Sequence, residues 1–173
     1  MTLLRVDLRA IDRMLDGIGD DCDAAARPAA QAASQVLYDR VKQNVGSLGK
    51  VTGNLDRSIY QVYSQDNSGT GRATYHISWN HRKAPHGHLV EFGHIQRYKY
   101  YKGADGKIRP MVKPEMMGKP APGRNASQAQ RDAYYVALPT PIQVPAKSFV
   151  RNAQSEFGRA YEAAEAVIYR LIA

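Results

Sequence analysis

Cysteine is almost missing from this 173-residue chain, Cys22 being the single one. It has no intrachain partner, so one subunit can build neither a disulfide framework nor a cysteine zinc site. In its helical stretch it reads as a buried small residue rather than a nucleophile. Long apolar runs are missing too. Nothing approaches the roughly 20 consecutive apolar residues that cross a bilayer, and the opening MTLLRVDLRAIDR lacks the basic-then-apolar layout of a signal peptide. Cytoplasmic synthesis without a membrane anchor is the expectation.

Catalytic motifs are equally scarce. No Gly-x-Ser-x-Gly turn is present, and Cys22 lies far in sequence from any histidine. The glycine-rich stretches GSLGKVTG and GTGR lack the strand and helix context of a phosphate-binding loop, despite Lys50 and Thr52, and read as turns. All five histidines (His76, His81, His86, His88, His94) fall within one stretch, and His86-Gly87-His88 with Glu91 and His94 invites a metal reading. Their spacing matches no helical His-x-x-x-His pair or finger pattern. A two-histidine nuclease would also need a ββα metal unit where the sequence turns proline-rich and aromatic. They read as polar loop and strand residues, and we expect no catalytic residue, bound metal or cofactor.

What is present is charge and pattern. The net charge is +8, and it is unevenly placed. From Gln96 to Gln143, nine cations face three anions, a balance of +6. These 48 residues hold six of the nine prolines and five of the eleven tyrosines. So long an irregular segment in a compact domain usually has a use. RYKYYK and KIRPMV flank GADG like a hairpin.

Elsewhere the patterns are regular. After a strand-like opening, Leu8, Ile11, Leu15 and Ile18 predict a short helix ending near Gly17 or Gly19. Ala29, Ala33, Val36, Leu37, Val41 and Val45 predict a long amphipathic helix over 21–45, closed by Gly46 and Gly49, with Pro28 in its first turn or at a kink. SIYQVYS, the turn DNSGTG and the alternation Ala73, Tyr75, Ile77, Trp79 predict a hairpin with one buried face. HLVEF fits a third strand or one turn of helix. Val150, Ala153, Phe157, Ala160, Ala164, Val167 and Leu171 predict a C-terminal amphipathic helix with Phe157 inward and Ser148 as N-cap.

The expected fold is therefore a single α+β domain over 1–173. A small, mainly antiparallel sheet packs against the long helix and the C-terminal helix. Residues 1–20 form a strand and short helix, 21–95 the helix and hairpin core, 96–143 an extended basic arm, and 144–173 the last helix. The candidate interaction residues are Arg97, Tyr98, Lys99, Tyr100, Tyr101, Lys102, Lys107 and Arg109. Aromatics interleaved with cations anchor protein interfaces, and they also stack bases and grip phosphates. A protein interface is the preferred reading. Nucleic-acid binding is the alternative, with a histidine-dependent nuclease as its enzymatic extreme.

Four blocks, in order, resemble a phage family: the neck or tail-completion proteins of long-tailed phages, the gene-ten-like family of lambdoid and related phages. They are VLYDRVKQNV, TGNLDRSIYQV, APHGHLVEFGH and VPAKSFVRNAQSEF. The motif positions are Gly53, Leu55 and Ser58, then Glu91, Phe92 and Gly93, then Pro145 and Phe149, all read as structural. Gly93 suits a tight change of direction, Pro145 the approach to a helix and Phe149 the core, while Glu91 is expected to be partly buried against a cation. Two features depart from the family pattern: His94 stands where Thr is usual, and the segment before VPAKSF is longer. The resemblance implies a non-enzymatic virion protein, made in the host cytoplasm, at the head-tail junction. It implies a homo-oligomer, with a hexameric ring the natural match to a sixfold tail. Its implied neighbours are the tail terminator, the head-side connector or stopper and the tail tube, with genomic DNA in the channel.

Overall fold

The computed structural model describes residues 9–49 and 52–172, with the first turns of that span described by backbone alone. The protein is α+β, and its contacts gather into two compact units. One comprises the chain up to Gly87 together with the chain from Ser148, and the other is His88–Lys147.

The first unit is built on one long helix, α1 (Arg9–Ser47). The separate short helix expected to end near Gly17 or Gly19 is absent. Once a helix is nucleated each further residue adds a hydrogen bond, and this outweighs a glycine penalty of about 1 kcal/mol. Pro28 lies inside α1 rather than in its first turn. An interior proline costs ~3 kcal/mol, which packing offsets: Ala25 and Ala29 on either side are buried. The strand-like opening expected before α1 lies outside the described residues. At the other end the Ser47 hydroxyl donates to the Asn44 carbonyl at 2.7 Å, and Gly49 takes the left-handed φ of 81° that ends the helix.

Two elements pack along α1. The hairpin of β1 (Ile59–Tyr63) and β2 (Tyr75–Trp79) is antiparallel, in register from Ile59↔Trp79 to Tyr63↔Tyr75. Ile59 is buried whereas Tyr60 and Val62 are exposed, so one face turns inward as expected. Arg27 of α1 lies 4.3 Å above the Tyr63 ring, and the Gln61 side chain donates to the Ser34 hydroxyl. The second element is α5 (Phe157–Ile172), reached through a 3-10 turn at Arg151–Glu156. Asn44 donates to the Phe149 carbonyl at 2.8 Å and Arg40 stands 3.7 Å from Glu156, so the numbers fall along α1 as they rise toward α5. The helices are antiparallel, and the buried residue of α5 is the small Ala160, which lets α1 approach closely.

Two expectations about this last segment are overturned. Phe157 is 60% exposed and Leu171 48%. Ala160 lies on a neighbouring sector of the helix and is the residue that packs. A spacing of three and four marks an apolar band but not which edge of it meets α1. Ser148 is no N-cap of the helix either. The 3-10 turn leading into α5 has Val150 at its N-cap, and Ser148 stands two residues earlier at a left-handed φ of 46°.

The block at Thr52–Ile59 does not enter the strand directly. It first makes a short helix, α2 (Asn54–Ser58), whose N-cap Gly53 has φ 70°. The Ser58 hydroxyl donates to the Leu55 carbonyl at 2.7 Å, and Lys42 of α1 pairs with Asp56. Trp79 then closes the unit. Its ring meets Phe149 edge-on at 5.5 Å between centroids, and a Cβ on Gly87 would fall 2.3 Å from the indole nitrogen.

In the second unit HLVEF resolves as helix, α3 (Gly87–Phe92). Gly93 follows at φ 74°, and a Cβ there would lie 2.6 Å from the Val144 carbonyl oxygen and 2.7 Å from the Ala146 nitrogen. Only glycine turns this corner. The chain continues through β3 (His94–Tyr98), β4 (Tyr100–Lys102), β5 (Ile108–Pro110), α4 (Gln128–Tyr134) and β6 (Ala137–Val144). β3 pairs with β6 and β4 with β5, both antiparallel. The segment 96–143 is thus more regular than its proline content led us to expect. Its prolines sit where a missing N–H does little harm: Pro114 opens a 3-10 turn, and Pro139 and Pro141 fall in the register shift between Gln96↔Ile142 and Tyr98↔Ala137. Pro145 follows β6 and is exposed, six residues before the 3-10 turn, so it lies in the connection rather than in a helix.

Phe149 is fully buried and makes the aromatic contact of its unit. Phe149→Ala should lower the unfolding free energy by about 3–5 kcal/mol, whereas Phe157→Ala should change it by less than about 0.5 kcal/mol. Chemical denaturation of the two variants measures both.

Candidate assembly interface

The residues singled out around 97–109 converge on one hairpin and its base. The β4–β5 register pairs Tyr100 with Pro110, Tyr101 with Arg109 and Lys102 with Ile108. Directly opposed residues share a face and faces alternate along a strand. One face therefore carries Tyr100, Lys102 and Ile108, and the other Tyr101 and Arg109. Tyr100, Tyr101 and Ile108 are all exposed. So are Lys99, Lys102 and Lys107.

The turn is fixed from within. Gly103 donates to the Lys107 carbonyl and Gly106 to the Gly103 carbonyl, both at 2.9 Å, with Gly106 at φ 74°. Asp105 accepts from the Lys107 N–H at 3.2 Å, and from both Arg109 terminal nitrogens at 3.2 and 2.6 Å. The Lys107 N–H, then the Arg109 guanidinium, hold the Asp105 carboxyl below its ordinary range. Arg109 is thereby occupied with the turn. Lys107 Nζ also stands 3.9 Å from the Asp105 carboxylate, so Lys99 and Lys102 supply the outward charge.

The base is a small polar lock. Lys99 donates to the Val136 carbonyl, Val136 to the Met111 carbonyl, and Met111 to the Lys99 carbonyl, at 2.7–2.9 Å. The Tyr98 hydroxyl donates to Asp132 at 2.8 Å and accepts from Gln128 at 2.8 Å, while its ring lies 5.4 Å from that of Tyr135. Desolvation, then the hydrogen bond to Asp132, raises the Tyr98 hydroxyl above its ordinary pKa. The same bond, with that from Gln128, lowers Asp132. Tyr98 therefore positions the hairpin and is no outward contact. Arg97 is exposed on β3, outside the hairpin itself.

The other motif positions lie elsewhere. Glu91 is buried at 2% exposure, but the adjacent Phe92 is 62% exposed. His76, His81, His86 and His88 are exposed and His94 is half-buried. Among the described residues no group of three or more His, Cys, Asp or Glu is placed to hold a metal ion. Sequence reasoning missed Ile108 and Met111 as outward apolar residues, and it missed the exposed band on α5 with Phe157 and Tyr161. The hairpin's alternation carried the signal for Ile108. For α5 the signal was an apolar sector wider than one neighbouring helix covers.

Comparison with known proteins finds a family of phage tail components, not a family of enzymes. Residues 9–93 match the model of the family described as "Bacteriophage HK97-gp10, putative tail-component". That span takes in α1, α2, the β1–β2 hairpin and α3 through Gly93, and so three of the four sequence blocks. No curated protein and no solved structure matches the chain. Among the described residues, no helix is long and apolar enough to cross a membrane.

Because Asp132 contributes to the raised pKa of Tyr98, Asp132→Asn should bring the Tyr98 hydroxyl down toward 10.0, its ordinary value. A raised tyrosine pKa stabilises the lock below pH 10, and this stability is lost as pH rises through the folded value. The lowered Asp132 stabilises it above pH 3.8, and this is lost as pH falls through its folded value. Carbon NMR titration of the tyrosine rings reads both limits.

Proposed function

We propose that this protein is a structural component of the phage head-tail junction, a neck or tail-completion protein that assembles into a ring and joins its neighbours. The family match carries the tail assignment. The observation supporting a joining role is the β4–β5 hairpin, which holds two tyrosines, an isoleucine and Lys102 outward, with Lys99 exposed at its base, on a turn locked by Asp105 with Arg109 and Lys107. A preorganised hairpin loses little conformational entropy on docking, and tyrosine adds apolar area with few rotatable bonds.

In this reading the protein acts in the virion as a homo-oligomer, a hexameric ring being the form that suits a sixfold tail. Its neighbours are the tail terminator, the head-side connector or stopper, and the tail tube. The lysines also suit the DNA that passes through the channel, and this is the second reading of the same hairpin.

Replacing Tyr100–Pro110 by a short Gly-Ser turn tests the role in the phage. The protein should fold, and filled heads should accumulate without joined or completed tails. Infectious particles in normal yield would overturn the proposal, as would a particle reconstruction that places the chain away from the junction. Duplex DNA binding that falls by tenfold or more between 50 and 200 mM salt, and is lost with the hairpin, would favour the second reading.

A further inference from the structure

The hairpin's cationic, apolar surface has a counterpart within the same sequence. On α1, Asp20, Asp21 and Asp23 are exposed, and no cation lies between Gly17 and Ala26. Arg27, the next, is occupied on the Tyr63 ring. α5 starts beside Arg40 and runs back along α1. Its 16 residues span ~24 Å at a helical rise of about 1.5 Å per residue, which brings its last turn about level with Asp23. That turn exposes Tyr169, Leu171 and Ile172, with Arg170 as one cation against the three acids. Among the described side chains of α1 and α5, this end is thus acidic and apolar together.

The geometry points to a second copy of this chain as the hairpin's partner, with the β4–β5 hairpin of one subunit seated on the acidic end of α1 and the last turn of α5 in the next. Tyr100 and Ile108, on the face that also carries Lys102, meet Tyr169, Leu171 and Ile172, while Lys102, with Lys99 at the hairpin's base and Lys107 at its turn, faces Asp20, Asp21 and Asp23. Matched charge steers the encounter and excludes wrong partners, and the aromatic and aliphatic contacts hold the complex. The two surfaces are different patches of the same chain, so the contact is head to tail. Each added subunit leaves one free hairpin and one free acidic end, and such contacts close into rings when the rotation allows. The inference rests on the reading that the protein assembles with itself, and it names the surfaces that do so.

Charge exchange in trans tests it with the full chain. One variant carries Lys99→Glu, Lys102→Glu and Lys107→Glu, and the other Asp20→Lys, Asp21→Lys and Asp23→Lys. All six side chains are exposed, so melting temperatures should stay close to that of the wild type. Sedimentation at low salt should show the wild type assembled and each variant alone associating at least tenfold more weakly. An equimolar mixture should recover assembly, because each hairpin then meets an end of opposite sign. If both variants assemble as the wild type does, or the mixture fails to recover, the named surfaces are wrong. A wild type that stays monomeric at every concentration overturns the inference as well. Loss of duplex DNA binding in the lysine variant, with assembly unchanged, does so in favour of nucleic acid. The hairpin replacement scored in whole particles reads the tail role separately. A failed charge exchange beside untailed particles removes only this inference, whereas normal particles remove the tail reading.

Discussion

The first unit depends on the contact of Phe149 with Trp79. Phe149 is fully buried, its ring is edge-on to the indole, and its carbonyl accepts from Asn44 of α1. Gly87 lies against the opposite partner of that contact, so close to the indole that a side chain would not fit. The chain therefore leaves the unit at Gly87 and returns at Ser148 beside one and the same side chain. The fold of α1, the hairpin and α5 can close regardless of what the intervening 60 residues do, and those residues form a unit of their own.

This arrangement explains why helices with so few large buried residues pair at all. The α1–α5 contact has Ala160 where bulk would hold the helices apart, and close backbone approach compensates for small buried area per residue. The cost is an α5 whose larger residues stand outside the contact. An apolar band exposed on a helix calls for a partner surface more than a scattered leucine does.

How far the sequence could be read follows from the same physics. The β1–β2 hairpin was legible because Tyr75, Ile77 and Trp79 alternate and one face is buried, and a period of two leaves little choice of register. The burial of Val41 and Val45 followed from spacing alone, whereas that of Phe149 came with the family block around VPAKSF. The continuity of α1 did not, because Gly17, Gly19 and Pro28 read as punctuation although a nucleated helix carries through them. Nor did the outward placement of Phe157, since periodicity is blind to which edge of an apolar band meets its neighbour. At the candidate interface the residue types were legible, but their division of labour was not. Tyr98 and Arg109 resemble Tyr100 and Lys102 in composition, and only hydrogen bonds to Asp132 and Asp105 reveal that they hold the hairpin in shape.

Trp79 is the one tryptophan in the chain, and it stands where both strands of the unit's closure meet. Its indole nitrogen is buried with no hydrogen-bond partner among the described residues. Water reaching that nitrogen would lower the energy of the excited indole, so the colour of the protein's own fluorescence is set by whether this seam is shut. The second unit holds no tryptophan to blur the signal. The molecule thus carries an optical gauge of one unit alone, placed where the inserted chain begins and ends.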